Sequence, residues 1–91
     1  MEMFSYKAPE KVDARNSKKV EQDLLALIEK GEQEIVFDME GMKYISSAGL
    51  RVLLNAQKKL LPSGNIYITN VPPAVTEILD ITGFSSMINT I

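Results

Sequence analysis

Two adjacent serines and a glycine stand inside the run Lys43-Tyr44-Ile45-Ser46-Ser47-Ala48-Gly49-Leu50-Arg51-Val52-Leu53-Leu54. The pattern places both hydroxyls where a strand-side loop turns into a helix. A helix start is a ready place for negative charge, because its first backbone N–H groups have no intrahelical partner. A serine there is either a plain cap or a hydroxyl to which a phosphate is added and tolerated. Gly49 either lets a partner or the adjacent loop approach closely, or relaxes the helix start. Arg51, one turn along, faces a docked protein, a phosphate or solvent. Ser46 is either satisfied by the backbone or an alternative acceptor.

The remaining chemistry is narrow. The chain has no histidine and no cysteine. That excludes disulfides, thiol catalysis, zinc sites built on Cys or His, and Ser–His or Cys–His nucleophilic pairs. A small hydrolase using Ser47 would lack a base, since no lysine stands at Ser-x-x-Lys spacing from either serine. Asp38-x-Glu40 suggests a carboxylate metal site on paper, but two carboxylates at a strand end are ordinary turn residues. No cofactor is expected.

The elements that must position these residues follow from periodicity. At 91 residues the chain makes one small domain, 1–91, and 45% hydrophobic content suits a folded globular protein. Net charge is -2, with no basic stripe, so no nucleic-acid or anionic-lipid partner is expected. Residues 1–7 carry no long apolar run, so neither a signal peptide nor a membrane insertion is expected, and the chain reads as cytoplasmic.

A short strand is expected at 4–7. A helix follows, capped by Asp13 or Asn16 and running to about 30, with Val20, Leu24, Leu27 and Ile28 as its stripe and Gly31 as its stop. Residues 34–39 read as a strand, continuously apolar at Ile35-Val36-Phe37 as if both sheet faces were covered. A helix at 48–61 turns Leu50, Leu53, Leu54 and Leu61 inward, with Gln57 interrupting. After the Pro62-Ser63-Gly64 turn come a strand at 65–69 and a helix entered at Pro72-Pro73. That helix turns Val75, Ile78, Leu79 and Thr82 inward and closes at Gly83; Phe84 is core, and 87–91 holds a last short strand. An exposed Phe84 beside Met87 would instead mark a docking patch. Alternating strands and helices give an α/β fold with a mixed, mostly parallel sheet of about four strands flanked by helices.

Three ordered segments resemble the STAS domain, the family named for sulfate transporters and anti-sigma-factor antagonists. The first is Ile35-Val36-Phe37-Asp38 followed by Tyr44-Ile45-Ser46-Ser47-Ala48-Gly49-Leu50, similar to the family's apolar strand ending in Asp and then Asp-Ser-Ser/Thr-Gly-Leu. The second is Val12-Asp13-Ala14-Arg15-Asn16, and the third Val71-Pro72-Pro73-Ala74-Val75 leading to Gly83-Phe84. The resemblance spans residues 6–90.

In the regulatory branch of that family, the serine after the motif Asp is phosphorylated by a partner kinase. The resemblance implies Ser47 as phosphoacceptor, with Ser46 in place of the Asp. It implies that Asp13 lies near the acceptor and the kinase contact surface; Asp13, Ser46, Gly49 and Arg51 are then the partner-contact set. The implied function is an anti-sigma-factor antagonist, with an anti-sigma-factor serine kinase and a phosphatase as partners. The alternative is a non-phosphorylated docking subunit of a membrane transport system. There are three departures. Ser46 lacks the carboxylate, Glu10 stands where the family often has glycine, and the chain begins late. The last leaves a sheet edge that could pair with a second copy.

Overall fold

The computed structural model describes residues 2–91. Six strands and three helices alternate: β1 (Phe4–Lys7), β2 (Lys11–Val12), α1 (Ser17–Glu29), β3 (Glu34–Asp38), β4 (Tyr44–Ile45), α2 (Ser47–Leu60), β5 (Asn65–Thr69), α3 (Pro73–Thr82) and β6 (Asn89–Thr90). A single 3₁₀ turn, Phe84–Ser86, joins α3 to β6. Strands β1-β3-β5-β6 form one sheet, in that order, and every pairing in it is parallel. β2 and β4 pair separately, also in parallel, as a two-residue ribbon with Lys11 opposite Tyr44 and Val12 opposite Ile45. Apolar spacing does not announce that ribbon, yet the α2 start stands on it.

The helices form where the apolar spacing places them. α1 buries Val20, Leu24 and Leu27 and half-buries Ile28, and ends before Gly31, whose φ of +101° suits glycine. α3 begins at Pro73 and stops at Gly83, φ +77°. α2 buries Gly49, Leu50, Val52, Leu53, Ala56 and Leu60. The buried faces of all three helices meet Ile35, Phe37, Ile66 and Ile68 in one connected core. Leu24, Leu53, Ile66 and Ile68 have no exposed surface at all. Tyr6 stacks on Phe37 with ring centroids 5.6 Å apart. Its hydroxyl donates to Asp23 Oδ2 at 2.7 Å, tying β1 to the body of α1.

Three expectations about the core change, and the expected interruption at Gln57 finds its cause. Leu61 lies past the end of α2 and is 51% exposed, while Val52 and Ala56 take the inward positions. Gln57 interrupts the stripe because it has a polar task. Its Nε2 donates to Asn65 Oδ1 at 2.9 Å, and its Oε1 accepts from the Ile66 N–H at 2.7 Å, fixing α2 to the start of β5. Thr82 is exposed; its hydroxyl donates back to the Ile78 carbonyl at 2.9 Å, a bond available to a threonine in a last helical turn. Val36 is buried, yet it stands outside the connected core, because its neighbours Ile35 and Phe37 point to the helix-covered face and strand alternation sends it to the other. The continuous apolar run therefore reflects one helix-covered face, with Val36 on the other, between Ser5 of β1 and Tyr67 of β5 in register.

Candidate functional site

The β2–β4 ribbon fixes the α2 start. Beyond Ile45, the Ser46 N–H donates to the Val12 carbonyl at 2.8 Å, which extends the ribbon by one bond. The Ser46 carbonyl accepts the Leu50 N–H at 2.9 Å, the first bond of α2. The Ser46 side-chain oxygen accepts the Gly49 N–H at 3.3 Å. Ser46 is thus the N-cap, in extended backbone geometry with φ -88° and ψ 173°. Serine here does the capping that an aspartate would do, without its charge.

Gly49 is buried against the ribbon. A Cβ at this position would come within 2.7 Å of Ile45 Cγ1 and 2.8 Å of Val12 Cγ1. Of the roles open to it in the sequence, Gly49 takes the internal one. It lets α2 sit directly on β2 and β4, and its burial sets it apart from exposed Ser47 and Arg51 in the expected contact set.

Ser47 is the first residue of α2, and it is exposed. Among the described residues its hydroxyl takes part in no hydrogen bond, in contrast to Ser46. The first turn of α2 contains no acidic side chain, so no charge within the helix itself compensates the positive end of its dipole. Ser47 and Arg51 border an open groove of about 250 Å³ whose other walls are Leu50, Leu54, Thr82, Phe84 and Met87. Met87 is 53% exposed and Phe84 only 2%. The apolar surface beside Ser47 is therefore presented by Met87 and Leu54, with Phe84 as the buried base beneath.

On the other side of α2, Arg51 also borders a polar notch with Lys18 and Glu21 of α1. It forms no ion pair there. Glu21 instead accepts from Asn55 Nδ2 at 3.3 Å.

Asp13 follows Val12, so ribbon register places it beside Ser46. It is half-buried and does not cap α1 with its side chain. Its Oδ1 accepts the Arg15 N–H at 2.9 Å, while its own N–H donates to Asn16 Oδ1 at 2.9 Å. Asn16, which occupies the N-cap position of α1, makes no capping bond; its Nδ2 donates to the Lys11 carbonyl at 2.8 Å. Both residues that could have capped α1 lock the loop before it.

Asp38 acts as a turn residue. Its Oδ1 accepts the Glu40 N–H at 3.0 Å and Asn70 Nδ2 at 3.1 Å, and these bonds hold its carboxyl below the usual range. Among the described residues, no cluster of three or more His, Cys, Asp or Glu could hold a metal ion, and no helix is long and apolar enough to cross a membrane.

The structure thus brings Asp13, Ser46 and Ser47 to one end of the ribbon, with Arg51 one turn along α2 and sharing a groove with Ser47. Four residues that sequence reasoning does not attach to this site also border it, Leu54, Thr82, Phe84 and Met87. Leu54, expected in the core, is half-buried along the groove. Its offset from the Leu50–Leu53 face by a single helical step is the available signal.

Comparison with known proteins identifies the family and the fold. The family model described as the STAS domain matches residues 2–91. A protein of Bordetella bronchiseptica, BtrV, provisionally named an anti-sigma factor antagonist, is 39% identical over 77 residues. That match covers 84% of this chain, and this chain spans 66% of the relative's length. Among solved structures, an anti-sigma factor antagonist from Mycobacterium paratuberculosis superposes with a TM-score of 0.86 at 18% identity, covering 97% of this chain and 75% of that one. The anti-sigma factor antagonist SpoIIAA, in its unphosphorylated form, gives 0.82 at 15% identity, covering 99% and 80%. At those identities the structural likeness speaks for the fold.

Proposed function

The chain belongs to the STAS domain family, and from that premise we propose that it is an anti-sigma-factor antagonist switched by phosphorylation of Ser47. The unmodified domain binds an anti-sigma factor through the surface around the α2 start, and the sigma factor is released for transcription. The 39% identical relative carries the same designation.

The observation that supports Ser47 as the switch is its contrast with Ser46. One hydroxyl is spent on the helix cap, whereas the other is exposed and beside an apolar groove. In the modification step, Ser47 Oγ attacks the γ-phosphorus of ATP held with Mg²⁺ by the partner kinase. An Oγ–P bond forms, the bond from phosphorus to the ADP oxygen breaks, and the hydroxyl proton passes to a base of the kinase. The product carries about -1.5 to -2 charges at the groove edge. A partner that covers Leu54 and Met87 would have to bury that charge, at a cost of several kcal/mol. The fold itself tolerates the charge, because the first turn of α2 contains no acidic side chain to oppose it. A phosphatase reverses the step.

In this reading the chain is the substrate of chemistry rather than a catalyst, and it works in the cytoplasm. Asp13 and Arg51 flank the acceptor and form the contact surface for the kinase.

The test is phosphosite mapping on protein from its native host, paired with affinity measurements for an anti-sigma-factor kinase of that host. Phosphate on Ser47, and at least about 100-fold weaker binding of the modified form, is the expected result. Equal affinity of the two forms would overturn the switch. Absence of phosphate under every growth condition, with a transporter ATPase co-purifying, would instead establish a constitutive docking subunit.

A further inference from the structure

Arg51 stands four residues after Ser47 on the same helix, and the two share one groove. Side chains at this spacing are neighbours, with Cβ atoms about 5–6 Å apart. Helical side chains lean toward the N-terminus, so a long side chain at position 51 covers the turn that begins at Ser47. An acidic group four residues before a basic one is also the favourable order on a helix.

Arg51 is exposed, and among the described residues it forms no ion pair. The carboxylate that lines the notch with it, Glu21, is hydrogen-bonded to Asn55. The groove walls Leu50, Leu54, Thr82, Phe84 and Met87 are all uncharged, which leaves Arg51 as the groove's cation.

We propose that Arg51 captures the phosphate of phosphorylated Ser47 in cis, folding its guanidinium over the modified turn. This rests on the reading of Ser47 as the acceptor and adds to it a regulatory residue. The planar guanidinium can meet two phosphate oxygens at once, which a lysine ammonium cannot. Capture has two consequences. The phosphate is held against the body of α2 rather than extending into solvent. In addition, the cation available to a docking partner in the unmodified form is withdrawn when the phosphate arrives. One modification thus adds negative charge and removes positive charge from the same surface.

The experiment uses the full chain with phosphoserine placed at position 47 during synthesis, so no kinase is needed. ³¹P NMR follows the second ionisation of the phosphate, whose ordinary midpoint is near pH 6. Capture favours the dianion, so the midpoint in the otherwise unaltered chain should lie about 0.5 lower than in an R51Q variant. R51K should fall between them, because it keeps the charge and loses the fork. K18Q, which removes the cation across the notch, should leave the midpoint where it is. The difference between the otherwise unaltered chain and R51Q should shrink in 1 M salt, where the screening length is about 3 Å.

Coincident titrations of the otherwise unaltered chain and R51Q would overturn the proposal, as would an equal shift from K18Q, which would indicate a diffuse field rather than a specific contact. Either failure leaves the Ser47 switch itself standing, because that reading is tested by phosphate in the host and by partner affinity, not by this titration.

Discussion

The starts of α1 and α2 are two versions of one construction. Each helix leaves a strand of the same ribbon, where Val12 is opposite Ile45, and each begins with a serine, Ser17 or Ser47. Residues 13–16 intervene before α1, whereas Ser46 alone intervenes before α2. The longer connection consumes its own polar groups. Asp13 and Asn16 bond to each other, to Arg15 and back to Lys11, and Ser17 ends up half-buried. The short connection has no slack. Ser46 must be both the last ribbon residue and the helix cap, which leaves the next hydroxyl exposed. A serine at a helix start is therefore not enough to make an acceptor. What separates Ser47 from Ser17 is the abruptness of the junction and the apolar groove beside it.

The strongest way to break this comparison is to place the same charge at both starts. S47D should fold with an unchanged circular dichroism spectrum and bind the anti-sigma factor roughly 10-fold to 100-fold more weakly, since a carboxylate carries less charge than a phosphate. S17D should change that affinity by less than about 3-fold, because residue 17 does not border the groove beside Ser47. Equal losses from both variants, measured by calorimetry, would show that net charge and not position governs binding.

A smaller effect, on stability, tests the abrupt junction itself. G49A adds a methyl group where Ile45 Cγ1 and Val12 Cγ1 would be 2.7 and 2.8 Å away. Overpacking of this kind costs about 1–3 kcal/mol, against a gain of about 1 kcal/mol in helix propensity. Urea unfolding should show a net loss of about 1–2 kcal/mol, because contacts this short put the overpacking cost in the upper part of its range. Binding should fall with it, because α2 must lift away from the ribbon that positions Ser47. A G49A variant as stable as the parent would mean that the ribbon yields and the junction is looser than its contacts indicate.

Ser46 tests the cap. S46A should lose about 1 kcal/mol. S46D should match or exceed the parent by about 0.3–1 kcal/mol, because the first turn of α2 has no acidic residue to meet its dipole. Thermal unfolding distinguishes the two. If S46D is destabilised instead, charge at this position is opposed by the nearby Asp13.

The same contrast explains what could be read from the sequence. β3, β5 and all three helices announce themselves by apolar spacing over five or more residues, and the structure has them close to the expected bounds. β2 and β4 are two residues each. No periodicity can show in so short a run, so the platform beneath Ser47 is invisible in the sequence while Ser47 itself is not. Gly49 is legible as a position needing glycine, but its neighbours are not, because close approach depends on the hidden ribbon. Gln57 and Thr82 differ for another reason. A polar residue on an apolar stripe, or a threonine in a last turn, is decided by hydrogen bonds to Ile66 and Ile78 that sequence spacing does not report. The motif carries the family and singles out Ser47 as the proposed acceptor; the burial of Gly49 and the groove of Leu54 and Met87 follow only from the folded arrangement.

The smallest expected effect separates the bodies of the two helices. α1 is tied by charge as well as by packing. Lys19 Nζ lies 2.7 Å from Asp23 Oδ1, and Tyr6 donates to Asp23 Oδ2. Among the described residues, α2 takes part in no ion pair. The hydrogen bonds from Lys19 and Tyr6 hold the Asp23 carboxyl below its usual 3.8. A carboxyl lowered by folding adds stability that is fully present above its ordinary value and is lost as pH falls through the still lower folded value. Asp23 is partly exposed and its lysine partner largely so, so the contribution is small, about 0.5 kcal/mol or less. Amide exchange at pH 2.5 against pH 6, corrected for intrinsic rates, should therefore show α1 amides losing slightly more protection than those of α2. D23N should remove that difference and leave α2 untouched. If α2 loses protection first in acid, the two helices are not held independently. The loop that closes the α1 start would then also be supporting the exposed serine at the start of α2.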